Sequence, residues 1–183
     1  NFVFFFRPPA TTEILHTIIH LAVYDAVVAI EGGYDPYAAV IDAPAGADVP
    51  TKARLFEAVA DVLERDTGLP RATVVASLSA REKLGSTGLG QGIAIPHGRL
   101  KGLPEARGAY VRLANPIPFE APDGRPVAQV FVLLVPEHAT DRHLQILSEL
   151  AQMFSERAFR ERLAASATAE QAHSVIRDWQ SAG

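Results

Sequence analysis

The sequence predicts an α/β domain, a small mixed β-sheet flanked by helices, with an N-terminal helical extension ahead of it. Three observations carry this. Beyond residue 50, segments with the apolar period of helices alternate with short apolar runs of strand length. The turn APDGRP between two such runs marks a hairpin. Of 183 residues, 48% are hydrophobic and 21% charged, which supplies a core and excludes disorder of the whole chain.

A seam falls in APAGADVP, Ala43 to Pro50, where Pro, Ala and Gly dominate as in a linker. Charge divides there too. Residues 1–50 hold one base, Arg7, against six acids, a net of −5, while the remainder holds 16 bases and 15 acids. We therefore expect two units, an extension over 1–50 and a domain over 51–183. In the first, Thr11 or Thr12 caps a helix that runs to about Glu31 and stops at Gly32-Gly33. Its apolar residues cover more than one face, so it needs a partner, either the domain or another copy of the chain. YDPY follows as a turn and AAVID as a short strand.

In the second unit, Thr51 caps a helix to about Asp66 with Leu55, Phe56, Val59, Val62 and Leu63 inward. Gly68 ends it, and Pro70 opens a second helix to about Leu84. GIAIP reads as a short buried strand. ARGAYVRLA alternates Ala109, Val111 and Leu113, and VAQVFVLLVP is a buried strand ended by Pro136. Three helices follow, Asp141 to Phe154, Glu156 to Leu163 and Ala169 to Trp179.

Composition narrows the function. A net charge of −4 argues against a broad nucleic-acid-binding face. With no Cys there is no disulfide frame, thiol catalyst or Cys-rich metal site, a usage that fits the cytoplasm. Ile14 to Ile30 is broken by His16, His20 and Asp25, too short for a clean span, so no membrane insertion is expected. NFVFFFRPP has five apolar residues before Arg7 and reads poorly as a leader. HTIIH, His16 to His20, imitates a zinc helix, but Thr17 stands where the metalloprotease motif needs Glu, so no metal is expected.

The informative stretch is LGSTGLGQGIAIPHGR, Leu84 to Arg99. It fails the P-loop pattern, which needs Gly-Lys-Ser/Thr, and the dinucleotide fingerprint, where Ile93 replaces the third glycine. What remains is His97 at a strand end between Pro96 and Gly98. A neutral imidazole there has a free lone pair and can act as a nucleophile, although an isolated His at a strand end is more often structural.

GIAIPHG, with REKLGSTGLG before it and FVLLVPEHATDRHLQILSELAQMF after it, resembles the enzyme IIA domain of the phosphotransferase system, mannitol/fructose type, nitrogen-regulatory subtype, over about Thr51 to Trp179. The resemblance implies that His97 accepts a phosphoryl group from a phosphohistidine on an HPr-type carrier. It assigns Arg81, sixteen residues earlier, and His143, forty-six later, to the same site. A guanidinium can hold two phosphoryl oxygens at once, and a second imidazole can bond the group or orient His97. Ser86 and Thr87 supply hydroxyls, and N–H groups from Gly88 to Gly92 offer an anion nest. Without the resemblance, Arg81 reads as a helix-end cation, His143 and Asp141 as helix caps, and Ser86 and Thr87 as turn formers.

The expected function is that of a regulatory phosphocarrier, not a free-standing metabolic enzyme, needing no cofactor and controlling partner proteins by its phosphorylation state. The alternatives are a sugar-transport enzyme IIA that passes phosphate to an enzyme IIB, and a binding module never phosphorylated. HLAVYDAVVAIEGGYDPY separately resembles a helical stretch of vanadium-haloperoxidase/acid-phosphatase-like proteins, whose oxyanion-binding motifs are not found here. Family members begin with a strand where VIDAPAGADVP stands. AVID serves as that strand, or a fused or foreign segment replaces it, leaving a sheet edge for the extension or for a homo-oligomer to cover.

Overall fold

A computed structural model describes residues 2–6, 52–138 and 141–179 of the chain. The expected helix from Thr11 or Thr12, the AAVID strand and the Thr51 cap lie outside these residues, as does HTIIH.

The described chain runs β1 (Phe2–Phe6), α1 (Lys52–Thr67), α2 (Arg71–Lys83), β2 (Gly88–Gly90), β3 (Ile93–Ala94), β4 (His97–Leu100), β5 (Arg107–Ile117), β6 (Val127–Pro136), α3 (Asp141–Ser155), α4 (Arg157–Ala165) and α5 (Ala169–Arg177). The strands form one mixed sheet in the order β1-β5-β6-β3-β2, with β4 also on β6. β5 and β6 make the expected antiparallel hairpin, while β3 and β4 run parallel to β6.

Two apolar clusters lie on opposite faces. Leu55, Phe56, Val59 and Leu63 of α1 and Val74 and Leu78 of α2 pack on Ala109, Val111, Val130 and Val132. On the other face Ile146, Leu150 and Phe154 of α3 and Phe159 and Leu163 of α4 pack on Tyr110, Phe131 and Leu133. The period-two split of residues 130–135 between the clusters is what a strand buried on both sides requires. It also explains a departure from the alternation expected in β5. There Arg107, Gly108 and Tyr110 are as buried as Ala109 and Val111, because helices cover both faces.

Two further features differ from the sequence reading. Phe2–Phe6, read only as an unsuitable leader, is an edge strand antiparallel to β5, with Phe2 opposite Arg112 and Phe6 opposite Gly108. β1 thus covers the edge that β5 would otherwise present. The GIAIP strand, in turn, does not stop at the histidine. Ile93 and Ala94 pair with Gln129 and Val130, and His97 and Gly98 resume in the same register opposite Leu133 and Leu134. Only Ile95 and Pro96 leave the ladder. Pro96 has no N–H to contribute, yet its carbonyl still accepts from Leu133 N at 2.9 Å.

Odd-numbered residues of this broken strand face α3, so His97 shares a face with Ile93 and Ile95. Gly98 faces α2, close enough that a Cβ there would collide with Ser77 Oγ, which donates to Arg99 O at 2.9 Å. Glycine is required for the approach of strand and helix, not for its dihedral freedom. Gly98→Ala is expected to cost about 1–3 kcal/mol, the range for overpacking, read as a lower denaturant midpoint at unchanged slope. Unaltered stability would show that α2 is not pressed against β4.

Candidate active site

The site forms where the broken strand, the end of α2 and the start of α3 converge. The residue before a proline is held extended, so Ile95 cannot continue into a helix-like turn and its carbonyl leaves the ladder. His97 Nδ1 lies 2.9 Å from that carbonyl. A carbonyl only accepts, so Nδ1 carries the proton. The other nitrogen, Nε2, accepts from Arg81 Nε at 2.9 Å. Both contacts select one neutral tautomer with its lone pair on Nε2, beside a guanidinium.

Arg81 is itself anchored. It lies in the last turn of α2, and its Nη1 donates to Gly85 O at 2.9 Å, so it also serves the helix-end role open to it from sequence. The His143 ring, from the first turn of α3, stands 5.6 Å from that of His97 at a 53° tilt. It is only 6% exposed, and its Nδ1 has no hydrogen-bond partner among the described residues. Such an orphan costs about 1–3 kcal/mol, which a polar visitor would recover.

Burial pushes the His97 imidazole below the ordinary histidine value. Arg81 and Arg99 add to this, while the Ile95 bond and Glu82 oppose it. His143 is lowered as well, by burial first and then by His97, Arg99 and Arg81. Arg81 and Arg99 bring positive charge to both rings, and Glu82 offsets part of it at His97.

The structure thus brings together Arg81, His97 and His143, which lie far apart in sequence. Ser86 and Thr87 fall in the turn between α2 and β2 and Gly88 opens β2, and their polar groups serve the fold. Ser86 Oγ donates to Phe119 O and accepts from Gly88 N at 3.1 Å. Thr87 donates to Glu82 Oε2 from its N–H at 3.0 Å and from its hydroxyl at 2.6 Å. Glu82 Oε1 in turn accepts from Lys52 Nζ at 2.9 Å. The Thr87 carbonyl accepts from Ile95 N at 3.0 Å. Glu82 therefore clamps the turn to which the strand break is tied, a role that sequence reasoning did not assign; its signal was an acid next to Arg81 at a helix end. Arg99 was missed too, although two residues along a strand from His97 it falls on the same face. His138 is exposed, and its Nε2 lies 3.9 Å from Glu137. No group of three or more metal-binding side chains occurs among the described residues.

Fold and site define a three-layer α/β domain in which one imidazole, bonded to a guanidinium, stands next to a second imidazole. Residues 44–179 match the family described as phosphoenolpyruvate-dependent sugar phosphotransferase system, EIIA 2, and the chain belongs to that family. It is 40% identical over 157 residues to a nitrogen regulatory protein of Pseudomonas aeruginosa, covering 84% of this chain and 98% of that one. A nitrogen regulatory protein of Escherichia coli is 39% identical over 129 residues, covering 70% and 79%. Among solved structures, nitrogen regulatory protein IIA-Ntr from Neisseria meningitidis superposes with a TM-score of 0.67 at 51% identity, covering 71% of this chain and 89% of that one. The mannitol IIA of Escherichia coli shares the fold, with a TM-score of 0.59 at 20% identity, covering 72% and 93%. No helix among the described residues is long and apolar enough to cross a membrane.

The lowered rings give a stability signature. Below the ordinary histidine value of about 6.5 the unfolded chain binds protons that the folded chain refuses, so stability falls as pH drops from there toward the folded values. Denaturant melts across that window should show this loss. In a His97→Gln/His143→Gln double variant the loss should be shallower, His173 being lowered as well by burial. An equally steep loss in the variant would remove the two site rings as its cause.

Proposed function

We propose that this chain is a phosphocarrier of the nitrogen-related phosphotransferase system, in which His97 accepts a phosphoryl group from a phosphohistidine on an HPr-type carrier. The observation that carries the reading is the pair of bonds that leave His97 Nε2 as the basic nitrogen, 2.9 Å from Arg81. The names of the relatives support the nitrogen-regulatory branch.

In the proposed step the Nε2 lone pair attacks phosphorus in line. A new N–P bond forms as the donor's N–P bond breaks, and its electron pair returns to the donor imidazole. Arg81 must release Nε2 as phosphorus arrives, and its N–H groups turn to the phosphoryl oxygens, whose charge is spread equatorially in transfer. Nδ1–H stays on the Ile95 carbonyl and stabilises the positive charge that the ring acquires. His143, whose Nδ1 has no hydrogen-bond partner among the described residues, meets an oxygen of the same group in this reading. The donor bond is already activated, so the step calls for no metal. Ser86, Thr87 and Gly88 shape the turn that holds Arg81 and Ile95, with any direct contact to phosphate requiring their present bonds to exchange.

The surface near these residues suits a protein donor. Leu84, next to the Arg81–Gly85 anchor, and Leu144, next to His143, are among the exposed large hydrophobic residues. An apolar rim of this kind excludes water from a labile phosphohistidine and gives a docking partner area to bury. Phosphorylation then places a dianion beside that rim, which changes the partners it accepts. We assign the protein to the cytoplasm, with regulated target proteins as its output.

Incubation with phosphoenolpyruvate, enzyme I and an HPr-type carrier should raise the mass of the chain by one acid-labile phosphoryl group, and His97→Ala should abolish the gain. Arg81→Ala should slow labelling by about 100-fold or more, the scale for loss of a charge-stabilising donor. Leu144→Asp should weaken labelling through the donor's apparent affinity rather than its limiting rate. Absence of a label on the intact chain, or full labelling of His97→Ala, would overturn the reading.

A further inference from the structure

A second basic site lies away from His97. A cavity of about 480 Å³ is lined by Gln91, Arg125, Gln129, Arg157, Arg160, Glu161 and Ala164. Gln129 pairs with Ile93, whereas His97 pairs with Leu133, four residues further along β6. At strand rise the two regions are about 13 Å apart. Three arginines against one glutamate give this lining a positive balance in a chain whose net charge is −4.

Arg160 is its fixed element. Nη1 donates to Phe154 O at 2.8 Å and to Ser155 O, and Nη2 donates to Gln91 Oε1. All three acceptors are neutral, so the guanidinium is held in place without being neutralised. Arg157 pairs with Glu161 at 2.7 Å, and Arg125 lies 4.0 Å from Asp123; their side chains are 84% and 73% exposed. Exposed pairs of this kind are weak, so both side chains can turn toward a ligand at the mouth. Glu156, at the N-cap of α4, makes no side-chain cap bond, because its carboxylate accepts from Trp179 Nε1 at 2.9 Å. Gln91 sits at φ 55°, a strained value for a non-glycine residue. Asp123 Oδ2 accepts from its N–H at 2.6 Å, and Arg160 holds its side chain.

We propose that this cavity binds a compact polyanion, carrying phosphate or carboxylate groups, on Arg160, Arg157 and Arg125. Volume, charge and a guanidinium without a carboxylate partner all suit a small molecule with two or three negative charges. The ligand takes Arg160 Nη2 from Gln91, so its binding is felt in the glycine-rich turn ahead of the His97 strand. The site is separate from the phosphoryl-acceptor reading and does not depend on it.

Calorimetric titration of the full chain with pyrophosphate, and in parallel with citrate, tests the proposal and separates the two anion chemistries. Saturable one-to-one binding of either at about 0.15 M salt is expected. Arg160→Gln and Arg125→Ser should each weaken it by about tenfold or more. Arg71→Ser, a surface control, and Arg81→Ala should leave it unchanged. Should Arg160→Gln unfold the chain, Arg125→Ser and Arg157→Ser still decide, because both residues are exposed. No saturable binding of either anion to about 10 mM, or binding lost in Arg81→Ala but kept in Arg125→Ser and Arg157→Ser, would overturn it.

Discussion

The proposed chemistry rests on one imidazole bonded at both ends. Ile95 O fixes the proton on Nδ1, and Arg81 Nε occupies the lone pair of Nε2. Burial opposes an imidazolium, and a guanidinium this close opposes it further, so the ring is held below the ordinary histidine value. The same guanidinium that suppresses the proton is attractive to a phosphoryl group. In the proposed transfer one residue thus discriminates between two electrophiles for the same nitrogen, by repelling the cation and binding the anion.

The rest of the domain sustains that bond. Pro96 breaks the β3–β4 ladder without changing its register, which frees a carbonyl for the ring while β6 still holds the strand on both sides of the gap. Ser77 and Gly98 bring α2 against β4, setting the distance from which Arg81 reaches across. Lys52, Glu82 and Thr87 form a polar chain to Ile95 N, so α1, α2 and the glycine-rich turn all bear on the strand break. Glu82 is mostly buried, which makes its three bonds more costly to lose than those of a surface pair. Membership of the EIIA 2 family gives this arrangement its context. The relatives' names give its regulatory reading.

Parts of this were legible in sequence and parts were not, for identifiable reasons. Leu55, Phe56, Val59, Val62 and Leu63 announced α1 because one side of that helix faces water and its pattern is clean. In β5 the pattern misled, since Tyr110 and Arg107 are buried on a strand covered from both sides. The reach of the His97 strand was underestimated because a proline usually ends a strand, whereas this one only interrupts it. Arg81 and His143 came from the motif spacing of a resemblance; no local period links residues on three separate elements. The Arg125–Arg157–Arg160 cavity was invisible, being assembled from distant segments by the packing of α4 near the β2–β3 turn. Phe2–Phe6 is rich in the aromatic and β-branched residues that favour strands, but the run was read only as an unsuitable leader. It forms a strand on the edge that β5 offers.

The tautomer of His97 decides the matter. Long-range proton–nitrogen correlation spectra of the unphosphorylated chain near neutral pH should show a protonated Nδ1 and a bare Nε2, with Nε2 becoming protonated more readily in Arg81→Ala. A bare Nδ1 with the proton on Nε2, or an imidazolium at that pH, would contradict the assignment of the nucleophile and with it the role of Arg81.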